Sequence, residues 1–343
     1  MKRLYALLPL LAALVVPGEA AAQMMPDSTV QIVAYWEVGD KIDYVRIEEQ
    51  YEIKGEEETL TSSSSESFYI EVVAATDSTY TLEIDSRGGF SSSLLGFTEK
   101  EKESLSKLFS SPLRIRTSQY GTFEEFENPD EFLESFKKII PVITDLTWRK
   151  YTPEQQKGID KKALENYFQE TLCSPYTITT LCQQYIAPFF YHGARLDTTR
   201  TYSLQNTFNG LVGNASVTLE TLFKVDSELT DDYSAVIRQE TVANDDEILP
   251  LAKEYTLSLI QSFSEDSGLS REEFEKSLQE HPFRMGFEEY TVVEIELETG
   301  WPIAWIFDRY VTAEQNGESS GKHIYRKIKI ETGEETEAAG ETE

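Results

Sequence analysis

The sequence predicts an α+β protein, with about eleven antiparallel strands and helices gathered on one face. Three observations carry this expectation. Runs in which apolar and polar residues alternate recur along the chain, the pattern of strands buried on one side. Many are joined by short turns such as ATDS and ETGW, and short turns connect antiparallel neighbours. Segments with helix-start signals and an apolar face come in blocks between groups of strands, as in a sheet with helices on one side.

The chain opens with Lys2 and Arg3, the apolar run LYALLPLLAALVV and then PGEAAAQ. A charged start, a short hydrophobic region and a small-residue cleavage site after Ala22 have the form of an export signal over residues 1–22. The site holds no cysteine for lipid attachment, and no later run approaches the ~18 apolar residues of a membrane span. The expectation is an exported protein, periplasmic or secreted, without a transmembrane span once mature. Residues 23–330 are read as one domain, and the acidic tail 331–343 as disordered for want of an apolar anchor.

Strands are expected near 30–37, 42–54, 66–75, 78–87 and 113–120 in a first group. A second group covers 198–209, 214–226, 232–243, 288–298, 301–312 and 321–331. In YTLEID, Tyr80, Leu82 and Ile84 alternate with Thr81, Glu83 and Asp85; Val45, Ile47, Tyr51 and Ile53 show the same period, interrupted by Glu49. The run SSSSES (62–67) reads as a polar hairpin loop, and Thr299-Gly300 as a two-residue turn with glycine at positive φ.

Helical insertions are expected near 98–110, 128–190 and 246–280. Thr98 with Glu101, Thr152 with Gln155 and Ser270 with Glu273 have capping-box spacing. Asn128 reads as a cap, Pro129 as the first helical residue, and Phe132, Phe136, Ile139 and Ile143 as one apolar face. Ile248, Leu251, Tyr255, Leu259 and Phe263 form a similar face.

Composition excludes some partners. Acidic residues number 61 against 31 basic, a formal charge of −30 that repels nucleic acid and anionic headgroups. Such a surface also fits generic solubility or a salty habitat. Cys173 and Cys182 lie close together in LCSPYTITTLC, and in an oxidising compartment such a pair reads as a disulfide worth about 2–3 kcal/mol. His192, His281 and His323 stand in separate segments, beside no nucleophile motif, zinc motif or phosphate-binding glycine loop. The Asp pairs at 231–232 and 245–246 lack calcium-loop spacing and read as turns or a cap. No catalytic residue, metal or cofactor is therefore assigned, and the chain is read as non-enzymatic.

The export signal, about eleven antiparallel strands and helices inserted after the fifth and eighth together resemble the LolA/LppX-like periplasmic carriers. Locally, VGDKIDY (38–44) and LETGW (297–301) resemble uncharacterised exported proteins of the Bacteroidota. The resemblance implies a curved, unclosed β-barrel, or clamshell, with helices filling the mouth around an acyl-chain cavity. The lipid-attachment cysteine of LppX-like members is missing here, and no ligand-binding residue carries over.

Two readings of the apolar residues follow. Trp301, Ile303, Trp305 and Phe307 fall on one strand face, which is either packed core or the wall of a cavity faced by Phe132, Phe136 and Ile139. The loop SRGGFSSSLLGFTEKEK (86–102), with Leu94, Leu95 and Phe97, is either a flap over that cavity or a connection docked on the sheet. The cavity reading makes the protein a carrier of a lipid, acyl chain or other hydrophobic ligand. The packed-core reading makes it a structural or protein-interaction module of the cell envelope with a filled core.

Overall fold

The computed structural model describes residues 27–85, 98–106, 111–158, 160–173, 185–212, 215–244, 247–254, 283–315 and 317–331, with the single positions 108 and 276. The expected export signal, the 331–343 tail beyond Glu331, Leu94, Leu95, Phe97, Cys182, the Asp pair at 245–246 and the Ser270–Glu273 box lie outside them.

The first half holds β1 (Thr29–Gln31), β2 (Lys41–Lys54), β3 (Glu57–Ala75), β4 (Thr79–Asp85), α1 (Glu99–Ser106), β5 (Leu113–Ser118) and β6 (Phe123–Phe126). Then come α2 (Pro129–Lys150), α3 (Pro153–Gly158) and α4 (Lys161–Leu172). The second half holds β7 (Arg195–Asp197), β8 (Tyr202–Val212), β9 (Ala215–Val225), β10 (Ser234–Ala243), β11 (Phe283–Glu296), β12 (Pro302–Gln315) and β13 (Glu318–Ile330). Residues 247–254 form a further helical stretch.

Eleven strands make one antiparallel sheet in the order β6-β5-β4-β3-β2-β13-β12-β11-β10-β9-β8. Two meanders are thus stitched together through β2 and β13, with the helical block between them in sequence. The terminal strands β6 and β8 do not pair, so the sheet is unclosed. β1 and β7 pair separately, as a small ribbon.

The inner face carries the core. Successive strand residues point to opposite sides, so the register places Val293, Trp305, Ile328 and Arg46 in one row across β11, β12, β13 and β2. That end of the sheet is covered by residues 29–36 and 185–196, and by the start of α2. Leu82 and Ile84 on β4, and Val293 and Ile295 on β11, point inward as their alternation predicts. Ile139, Ile140 and Ile143 of α2 form a second cluster with Leu105 of α1 and Phe168 of α4. Ile248 and Ala252 pack a third against Val217, Leu219, Ala243 and Phe287.

Several expectations are corrected. SSSSES is not a hairpin loop but the middle of the 19-residue β3, and the turn lies earlier, around Gly55 at φ +65°. A serine run has no apolar period to betray a strand, whereas pairing with β2 along its length holds it extended. The strand expected at 30–37 is paired only over Thr29–Gln31 and continues as an extended strap. Its bonds run to loops instead: Ala34 N–H donates to Tyr120 O (3.1 Å) and Tyr35 N–H to Thr299 O (3.0 Å). The ETGW connection is longer than two residues, spanning 297–301, although Gly300 does adopt φ +78°. On β2 the period is right and the phase reversed: Tyr44 and Arg46 are buried inside, while Val45, Ile47 and Tyr51 lie half-buried on the outer face and Ile53 is buried there.

Helix starts fare differently. Thr98 and Glu101 form the expected box, with Thr98 N–H donating to Glu101 Oε2 at 2.8 Å and Glu101 N–H to Thr98 Oγ1 at 3.4 Å. Asn128 occupies the cap position of α2 but turns its side chain to β5. There Oδ1 accepts from Arg114 N (2.7 Å) and Nδ2 donates to Pro112 O (2.8 Å).

Candidate functional site

The strap and the loops under it form a tight knot around the first tryptophan. Trp301 stacks on Trp36 with ring centroids 4.7 Å apart, and Phe189 meets Trp36 edge-on at 5.8 Å. His192 closes the knot, buried, with Nε2 2.7 Å from Gly300 O and Nδ1 3.2 Å from Phe189 O. Burial pushes its pKa down to about 4 against the pull of these two carbonyls, so the ring is neutral, with Nε2–H the natural donor to the nearer oxygen. Glycine is required on both sides. A Cβ on Gly300 would lie 2.3 Å from Val33 O, and one on Gly121 would lie 2.6 Å from the His192 ring.

The sequence-predicted residues separate here. Trp305 and Phe307 stack in parallel on the inner face, 5.5 Å apart. A β-bulge between Glu294 and Ile295 places Pro302 opposite Ile295, which leaves Ile303 as the extra residue, out of step with Trp305. Phe132 and Phe136 join the same core as the tryptophans, whereas Ile139 belongs to the helical cluster. The turn at Ala187–Phe189 packs against β12.

Beyond Trp305 the inner face becomes charged, which the sequence did not disclose. Arg46 Nη2 lies 2.7 Å from Glu66 Oε2 with both side chains buried, and Tyr185 O–H donates to Glu66 Oε1 at 2.9 Å. Burial raises the Glu66 carboxyl above its ordinary value, opposed by Arg46 and the Tyr185 bond. In the next rows Arg326 Nε donates to Glu48 at 2.9 Å, and Arg309 pairs with Glu289. Both guanidinium groups flank the Phe307 ring, at 5.1 Å for Arg309 and 5.7 Å for Arg326. The signal lay in the alternation itself. Arg46, Glu48 and Glu66 share the parity of Tyr44 and Phe68, a correspondence visible only once the phase is known.

Past this belt an open cleft of about 600 Å³ lies along β11, β12 and β13. Phe287, Met285, Val311 and Ile324 supply apolar lining; Arg309 and Lys322 supply positive charge. Trp301, Trp305 and Phe307 do not line it. On the outer face His323 is buried between the parallel rings of Tyr51 (5.0 Å) and Tyr310 (4.2 Å). Its Nδ1 is 3.0 Å from Glu58 Oε2 and its Nε2 2.9 Å from Asp308 Oδ1. The Glu49 carboxylate, bonded to the Tyr51 hydroxyl, pushes that phenol up to about 12. This cluster joins β2, β3, β12 and β13 by hydrogen bonds and stacking, and it presents no activated nucleophile. Among the described residues no group of three or more His, Cys, Asp or Glu is placed to hold a metal ion.

Cys173 follows α4, half-buried, and its expected disulfide partner Cys182 lies outside the described residues; burial raises the Cys173 thiol pKa against the pull of Lys137. No helix among the described residues is long and apolar enough to cross a membrane.

No family model matches the chain, and no curated protein does. Among solved structures it is similar to lipovitellin, described for its lipid–protein interactions, at 10% identity and TM-score 0.40. That match covers 86% of this chain but only 25% of lipovitellin, so this chain spans about a quarter of its length. A second is Ail, the attachment invasion locus protein of Yersinia pestis (7% identity, 85% of this chain and 98% of that one, TM-score 0.13). A third is a loop-deletion mutant of OmpT, an outer membrane protein of Vibrio cholerae (8%, 85% and 99%, TM-score 0.21). Likenesses this slight say nothing of what the chain binds.

Proposed function

We propose that this chain is an exported, non-catalytic binding protein that holds a lipid, acyl chain or similar amphipathic ligand in the inner-face cleft. The observation that supports this reading is the lining of the cleft: Phe287, Met285, Val311 and Ile324 beside Arg309 and Lys322. Apolar walls beside Lys322 and the Arg309–Glu289 pair suit a ligand that has a hydrocarbon body and a polar end. Covering that surface gains roughly 25 cal/mol per Å² of apolar area, less the cost of ordering the ligand, so an affinity of about micromolar is expected.

The test is native mass spectrometry of protein purified from the cell envelope, with lipid extraction, followed by fatty-acid and lysolipid titration. Val311→Trp fills the cleft and should abolish binding with little loss of stability. A ligand-free protein that takes up no apolar probe would rule the carrier reading out.

A second reading, an envelope interaction module with a filled core, is favoured by the Trp36–Trp301–Phe189 packing. It predicts no ligand and the same stability change in the Val311 variant.

A further inference from the structure

The two edges of the open sheet are guarded very differently. β6 is four residues long, carries Glu124 and Glu125, and leads into the Asn128–Pro129 start of α2. Short length, charge and a following proline are devices that stop an edge from pairing with another chain. β8 has none of them. It runs for eleven residues, YSLQNTFNGLV, with no charged residue and no proline. Its residues Ser203, Leu204, Gln205, Asn206 and Thr207 are exposed, and among the described residues β9 is its one partner in the sheet. Alternate backbone N–H and C=O groups of such a strand point away from the sheet and form a template for another strand.

We infer that β8 is the edge through which two copies of this chain pair, antiparallel, into one continuous sheet. Charge decides the occupant. With a formal charge of −30, two copies repel each other over most of their surface. Residues 201–219, which contain the whole of β8, carry no charge at all, and the nearest charge on the paired stretch of β9 is Glu220, one strand in from the edge. Antiparallel pairing of β8 with its own copy sets neutral residues opposite neutral residues, so no like-charge pair forms across the seam. It also places the two β8 strands about a two-fold axis, the commonest closed symmetry.

One strand pair is smaller than the ~1,200–2,000 Å² of a stable interface, so the dimer should be weak and concentration-dependent. Because the opposing force is long-range repulsion, salt should strengthen it.

Sedimentation velocity on protein purified from the envelope, over a concentration series at low and high NaCl, tests this. The expected result is a monomer–dimer equilibrium whose dissociation constant falls about tenfold from ~0.05 to ~0.5 M NaCl. Leu204→Lys puts charge on the edge itself and should leave a monomer at both salts. Leu222→Lys adds the same charge one strand inward, at a residue of equal 39% exposure, and should dimerise like the parent. A monomer throughout, whatever foreign peptide it takes up, overturns the inference. So does a dimer that survives Leu204→Lys, or one lost equally in both variants.

Discussion

At the scale of the residue, buried polar groups decide how the molecule responds to pH and truncation. His192 is neutral in the fold with a pKa of about 4, whereas the unfolded ring titrates near 6.5. Its folded value is depressed, so the unfolded state binds the proton first as pH falls. Stability from this group is complete above about 6.5 and is lost progressively towards 4. Between about pH 7 and pH 4.5 that amounts to roughly 2 kcal/mol. In urea unfolding at the two pH values, His192→Gln should be less stable at neutral pH but lose about 2 kcal/mol less on acidification. An unchanged pH response would place the acid sensitivity in the carboxylates. The Arg46–Glu66 pair gives a second prediction, through its burial. Glu66→Ala strands a buried guanidinium and should cost about 3–5 kcal/mol, whereas Arg46→Met with Glu66→Leu should recover most of that loss. Equal destabilisation of the single and double variants would show that packing, not charge, dominates there.

At the scale of the element, what was legible in the sequence was period and what was hidden was phase. Leu82 and Ile84, or Val293 and Ile295, announce their strands because the other face is polar. On β2 both faces carry half-buried or buried residues, so alternation alone cannot say whether Val45 or Arg46 points inward. The Ser62–Ser65 run carries no period at all, and only pairing with β2 makes it strand. Bulges add to the difficulty, since the one at Glu294/Ile295 separates Ile303 from its expected neighbours without leaving a mark in composition. Of the candidate site, the aromatic core was readable, but the cleft was not, because Phe287, Val311 and Ile324 meet only through register. Glycines at loops allow a direct test of how tightly elements are tied. Gly300 and Gly55 both have positive φ, but only Gly300 has a backbone atom, Val33 O, where a Cβ would sit. Gly55→Ala should cost about 1 kcal/mol from conformation alone. Gly300→Ala should cost at least about 2 kcal/mol more, because strap and loop must separate. Equal losses in thermal or urea unfolding would mean that the strap yields freely.

At the scale of the whole molecule, charge acts on both stability and association. With 61 acidic residues against 31 basic, most long-range charge pairs in the folded chain repel, and unfolding relieves that repulsion. Exposed ion pairs such as Arg116–Glu125 contribute little and are screened together with the repulsion. The buried Arg46–Glu66 pair lies beyond the reach of screening. Raising NaCl from ~0.01 to ~0.2 M shortens the Debye length from about 30 Å to below 10 Å, so the net effect should be stabilising. The unfolding midpoint should therefore rise with salt over this range. Edge pairing through β8 would raise it too, since a dimer that forms only from folded chains stabilises by mass action. The two contributions separate by concentration. Screening acts equally on dilute and concentrated protein, and equally on Leu204→Lys. The dimer contribution grows with concentration and disappears in that variant. A midpoint that falls with salt in dilute Leu204→Lys protein would show that attractive ion pairs, not the net charge of −30, govern the electrostatics of this fold.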